Sequence, residues 1–222
     1  MKYAFAVAAM LASTSASAAV ISSSVGGVPV GANIYESFDA IGPGGTTASG
    51  ITVSFAGTDA GTASLPNVGG RYAAPYISGG NGTLFGNAQA DGQDATQYLT
   101  TGIGTVTLDL GDDHQYFGIL WGSVDTYNSL AFYAGDTLLF TYSGSDVAAI
   151  ANGDQGAAGT YYVNINSDTT FNKVVASSSG YAFEFDNVAL AYKPITDVPE
   201  PGALALFGLG AIGLAASRRR KG

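Results

Sequence analysis

The 222-residue chain has no cysteine, one histidine, one tryptophan and few charges, with Asp, Glu, Lys and Arg making up only 11% of it. Without thiols, a disulfide framework and a Cys-ligated zinc site are both excluded. Positive charge is scarce and badly distributed. The 8 basic residues are set against 17 acidic ones, for a net charge of −9. Half of the basic residues stand together at the end, as Arg218, Arg219, Arg220 and Lys221. Phosphate contacts need Lys and Arg clustered on a folded surface, so nucleic acid is excluded as a partner. Motifs of common chemistries are missing too: there is no Gly-x-Ser-x-Gly elbow, no HExxH and no P-loop. A glycosidase needs only two carboxylates, but no pair is singled out by its setting. A non-enzymatic protein is therefore expected, with a secreted hydrolase as the weaker alternative.

Both ends of the chain are apolar in ways that a folded domain does not require. Lys2 is followed by the apolar stretch Tyr3 to Leu11, and then by small residues with Ala16 and Ala18 at cleavage spacing. This reads as a secretory signal peptide over 1–18, cut after Ala18 or Ala19. At the other end, Val198-Pro199-Glu200-Pro201 precedes sixteen small or apolar residues, Gly202 to Ser217, and then the basic cluster 218–221. As a helix this run would be roughly 24 Å long. A bilayer core of about 30 Å is within reach if the flanking Arg side chains snorkel. Pro201 suits a helix start. The run has no polar face, so it does not fit a packed amphipathic helix. The basic cluster orients it with Arg218–Lys221 in the cytoplasm and the preceding chain exported.

These three tail elements, in this order at the very C-terminus, resemble the PEP-CTERM sorting signal of Gram-negative bacteria. The resemblance covers about the last 25 residues, 198–222. It implies recognition and processing by exosortase near Val198, Pro199, Glu200 and Pro201, with transient inner-membrane anchoring through the apolar helix 202–217. It further implies delivery to the cell surface or extracellular matrix of a bacterium that makes exopolysaccharide.

Between the two ends lies one domain, 19–197. It carries 16 acidic and 3 basic residues, near −13, which suits solubility and cation binding better than membrane contact. Its pattern is all-β. Thr105–Leu110 alternates strictly, Gln115–Trp121 is a dense apolar strand, and Ser129–Tyr133 with Thr137–Tyr142 reads as a hairpin. Further strands are expected at 34–38, 51–55, 161–165, 173–177 and 181–192. One short helix is expected over Val147–Asn152, capped by Ser145 or Asp146 and stopped by Gly153. The Gly-rich stretch 68–94 reads as long loops with one or two short strands. The expected fold is a β-sandwich, jelly-roll-like, with one short helix.

Three places in this domain are candidates for function. His114, between two expected strands, is read as a solvent-exposed turn residue rather than a ligand or base. Trp121, Asp125, Tyr127 and Asn128 form the residue set of a carbohydrate site, in which aromatic faces stack on sugar rings and polar groups fix hydroxyls. The plainer alternative has Trp121 in the core, with Asp125 and Asn128 capping a turn. The stretch around them, with the later FEFDNVAL, resembles a recurrent domain of exported PEP-CTERM proteins of unassigned activity, over Tyr116 to Tyr192. Third, the apolar face of 181–192 changes phase at Asp186-Asn187, which implies a β-bulge. The closing-strand pattern resembles that of jelly-roll binding modules. The resemblance implies a structural Ca²⁺ as the one cofactor, held by Glu36, Asp39, Asp186 and Asn187. The alternative is that Asp186 and Asn187 bond local backbone groups.

Overall fold

The computed structural model describes residues 19–42 and 44–195. The segment 1–18, expected to be a signal peptide, and the sorting segment 198–222 lie outside them, as does the expected apolar helix 202–217. Among the described residues no helix is long and apolar enough to cross a membrane.

The early strands are short: β1 (Ala19–Ser24), β2 (Ile34–Glu36), β3 (Gly45–Thr46), β4 (Thr52–Gly57), β5 (Gly61–Ala63), β6 (Tyr76–Ile77), β7 (Gly92–Gln93) and β8 (Tyr98–Thr101). The later ones carry the architecture: β9 (Gly104–Gly122), β10 (Asn128–Ala134), β11 (Thr137–Ser143), β12 (Tyr161–Ser178) and β13 (Phe183–Ala191). One helical turn, α1 (Gly144–Val147), follows β11.

Strands β9 and β12 run through both layers of a sandwich. Their segments 104–109 and 173–178 pair with each other. Beside them lie β4 on one flank and the β10–β11 hairpin on the other. Their segments 116–121 and 161–166 also pair, now flanked by β13 and β1. Between these halves the register shifts around Phe171, and Gly111 takes φ 77°. The strands therefore bend from one layer into the other without ending. The two expected strands on either side of His114 are thus one strand, and so are those at 161–165 and 173–177.

The bend explains the side-chain phases. Val106, Leu108 and Leu110 face the core on even positions, whereas Phe117, Ile119 and Trp121 face it on odd ones. Rings from the two layers meet there, with Phe117 against Phe132 at 5.4 Å edge-to-face. The layer holding β13 is covered on both faces. Its outer face packs Tyr116, Leu120, Tyr162, Ala189 and Ala191 against Ile77 and Phe85 of the Gly-rich segment. A strand buried on both sides needs no polar alternation, and every residue of β13 is buried.

Two expectations are corrected. The helix lies earlier and is shorter than read from the sequence. The Asp146 carboxylate accepts from the Ser143 backbone N–H at 2.7 Å and its hydroxyl at 2.8 Å, which starts the helix at Gly144. It stops at Ala148 because the following chain is drawn out extended: Asn152 bridges to Asp125 and Gly153 N–H donates to Val124. His114 is fully buried within β9, its ring stacked on Tyr192 at 5.0 Å. Burial holds its imidazole below the usual range despite Asp112 and Asp113 nearby, so it is a neutral packing residue.

Candidate functional site

A cleft of about 210 Å³ opens at one end of the sandwich, where β9 ends and β13 begins. Four connections build it: 70–72 from the Gly-rich segment, 123–127 between β9 and β10, 152–155 after the helical turn, and 181–184 entering β13. Its walls present Arg71, Tyr72, Asp125, Tyr127, Gln155 and Tyr181.

Hydrogen bonds hold these side chains in place. Tyr127 donates to Asp125 Oδ2 and is also within 2.6 Å of the Tyr181 carbonyl. Tyr181 Oη donates to Asp59 Oδ2 at 2.8 Å, and Arg71 pairs with the other oxygen of Asp59. The hydroxyl of Tyr181, with Arg71, holds the Asp59 carboxyl below its usual value, so it stays ionised. The Arg71 guanidinium also lies over the Tyr72 ring at 5.8 Å, a cation–π placement. Burial and the Asp125 carboxylate push the Tyr127 phenol up, so it stays protonated as a donor.

Glu184 forms part of the cleft floor. It is 2% exposed, with Ala73 N–H donating to Oε1 at 2.8 Å and the Ser123 hydroxyl donating to Oε2. Burial pushes its carboxyl up to about 7.

The four residues expected to form a sugar site are divided by the fold. Asp125 and Tyr127 line the cleft. Trp121 is fully buried and stacked on Phe183 at 4.4 Å, so it offers no face to a ligand. Asn128 is buried as well, donating to the Ala182 carbonyl and accepting from Ser178. The reason is strand phase: Trp121 sits on the core-facing side of β9, while Asp125 and Tyr127 fall on the loop beyond its end. Arg71, Tyr72, Gln155, Tyr181 and Glu184 were not singled out from sequence. Arg71 had a signal, as the lone cation of the Gly-rich stretch, but its neighbours come from distant segments.

The phase change in β13 is a real bulge. The pairing with β9 slips between Asp186 and Ala189, and Asn187 takes φ 53°. Asp186 and Asn187 are fully buried there. The other two residues expected beside them have hydrogen-bond partners of their own. Glu36 accepts from Phe38 N–H and the Ser49 hydroxyl. The exposed Asp39 accepts from Ser37 at 2.8 Å. Asp94, from the Gly-rich segment, instead brings its carboxyl against Asp186. Among the described residues no three His, Asp or Glu side chains gather into a metal cluster.

No curated protein and no solved structure matches the chain. Residues 197–221 match the family model of the PEP-CTERM protein-sorting motif. The chain therefore carries the C-terminal motif of exported cell-surface proteins processed by exosortase.

Proposed function

We propose that this is a non-enzymatic surface or matrix protein of a Gram-negative bacterium that binds extracellular polysaccharide through the cleft at the end of its sandwich. In this reading the segment 202–217 anchors the chain in the inner membrane only until exosortase acts. The observation that carries the binding role is the lining of the cleft. Three tyrosines, Tyr72, Tyr127 and Tyr181, stand among Arg71, Asp125 and Gln155. Rings offer apolar faces to sugars, and fixed charges and amides sort their hydroxyls. The acidic domain has no comparable basic surface that would favour an anionic polymer by charge alone.

Against a hydrolase stands the setting of Glu184. Burial raises its affinity for protons, but both of its oxygens are occupied and it is almost closed off from solvent. The test is a glycan array, followed by titration with the polysaccharide of the producing bacterium. Tyr181→Ala is expected to weaken binding about tenfold or more, equivalent to ~1.4 kcal/mol, with the thermal midpoint nearly unchanged. Tyr181 is 38% exposed, so its truncation is expected to cost folding much less than that of a fully buried ring. A wild-type protein that binds no glycan, or a Tyr181→Ala variant that binds as well as wild type, would remove the cleft from this role.

A further inference from the structure

Asp94, Asp186 and Asn187 are each essentially inaccessible to solvent, yet much of their polar surface has no partner. No well-aligned donor reaches either carboxylate oxygen of Asp186, either side-chain amide atom of Asn187, or Oδ2 of Asp94; the nearest groups to the Asp186 carboxyl are the Asn187 backbone N–H and the Asp94 carboxyl itself. The contrast within Asp94 is informative. Its Oδ1 accepts from Asn87, from Thr96 N–H and from the Thr96 hydroxyl, at 2.9, 2.9 and 2.6 Å. The carboxyl is thus held by one oxygen, and it lies within hydrogen-bonding reach of the Asp186 carboxyl. Buried polar atoms are nearly always satisfied, and a concentration of unsatisfied oxygens needs a physical explanation. Two facing carboxyls without a counter-charge are a still costlier arrangement. Arg71 and Lys173 are committed to Asp59 and Asp136. The exposed carboxylate of Asp39 adds further negative potential to both buried acids.

We infer that Asp94, Asp186 and Asn187 form a buried calcium site that ties the Gly-rich segment to the bulge of β13. Oxygen-only donors of mixed type, two carboxylates and an amide, suit Ca²⁺, which takes 6–8 oxygens in adaptable geometry. Backbone carbonyls and water complete such a shell, so a third acidic ligand is not required. The bulge is what makes the site. It turns two consecutive side chains, Asp186 and Asn187, out of the strand's alternation, and Asn is among the residues that tolerate the left-handed backbone found there.

The competing arrangement is a single proton shared between the two carboxyls, with no cation. Thermal melts of the full chain in EDTA and in excess Ca²⁺ separate the two, together with elemental analysis of the purified protein. The calcium site predicts one bound Ca²⁺ per chain. At a hundredfold excess over the dissociation constant, Ca²⁺ should raise the folded-to-unfolded ratio by about a hundredfold. Asp94→Asn and Asp186→Asn should each abolish that response. If Asp186→Asn fails to fold, Asp94→Asn and the wild-type melts still decide. Superimposable wild-type melts in EDTA and Ca²⁺, with no calcium retained, would leave the shared proton and overturn the site. Tb³⁺ bound at the site should luminesce on tyrosine excitation, because Tyr162 lies beside Asn187 and its hydroxyl donates to the Asn187 carbonyl at 3.1 Å. Loss of that signal in Asp94→Asn supports the site, and an unchanged signal counts against it.

Discussion

Glu184 shows how strongly the position of one carboxyl in the fold sets its chemistry. Its carboxyl rises from 4.5 to about 7, chiefly through burial, with the Ser123 and Ala73 donors pulling partly back. A raised carboxyl means that the folded chain holds a proton that the unfolded chain has released. Between about pH 4.5 and about pH 7 the native state therefore binds more protons, and stability falls as pH rises through that window. A shift of this size corresponds to on the order of 3 kcal/mol. Glu184→Gln keeps an acceptor for Ala73 and cannot ionise, so it isolates the contribution of this residue. Urea midpoints at about pH 4.5 and about pH 8 should show the wild type losing stability relative to Glu184→Gln. A difference between the two proteins that stays constant over this range would mean that Glu184 ionises normally in the fold.

At the level of elements, the layer formed by β9, β12 and β13 tolerates almost no change of volume, because both of its faces are packed. Gly118 makes this concrete. A Cβ there would meet Tyr162 Oη at 2.6 Å and Tyr116 Oη at 2.7 Å. Those two hydroxyls are already placed, donating to the Asn187 carbonyl and to Asn164 Oδ1. Gly118→Ala should therefore destabilise by about 1–3 kcal/mol, the usual range for overpacking a filled site. Gly61 of β5 is the control, since a Cβ there meets nothing within 4 Å. Gly61→Ala should stay within about 0.5 kcal/mol of wild type. Equal urea midpoints for the two variants would show that the outer face of the layer is looser than its burial suggests.

For the whole molecule, the decisive feature is that the ends and the middle obey different rules. The domain is all-β and acidic, while the two terminal segments are apolar and carry five of the eight basic residues. With the PEP-CTERM motif at 197–221, the surface-extracted protein is expected to lack both 1–18 and the basic cluster 218–221. Intact-mass measurement on protein from the native host checks this. Arg218–Lys221 found on most molecules would mean that the tail is a lasting anchor. Retention of 1–18 would mean that the N-terminal segment is not a signal peptide.

Local pattern alone determined much of this protein. The sorting motif is read from linear order, because its three parts, the Pro-Glu-Pro triplet, the apolar run and the basic cluster, follow one another directly in the chain. The all-β class follows from period-2 alternation, the hairpin at 128–143 from its turn residues, and the bulge at Asp186-Asn187 from a phase slip visible in twelve residues. Those signals live within one element, where neighbours in sequence are neighbours in space. Tertiary structure decided the rest. It bent β9 and β12 into both layers, which buried His114 where a turn was expected and carried Trp121 into the core. It assembled the cleft from four connections far apart in the chain. It also brought Asp94, with no local mark to distinguish it from the other acids, against Asp186 some ninety residues away. Strand phase tells which side of a sheet a residue faces, but not which distant loop covers that side, because loop closure places no constraint on local alternation.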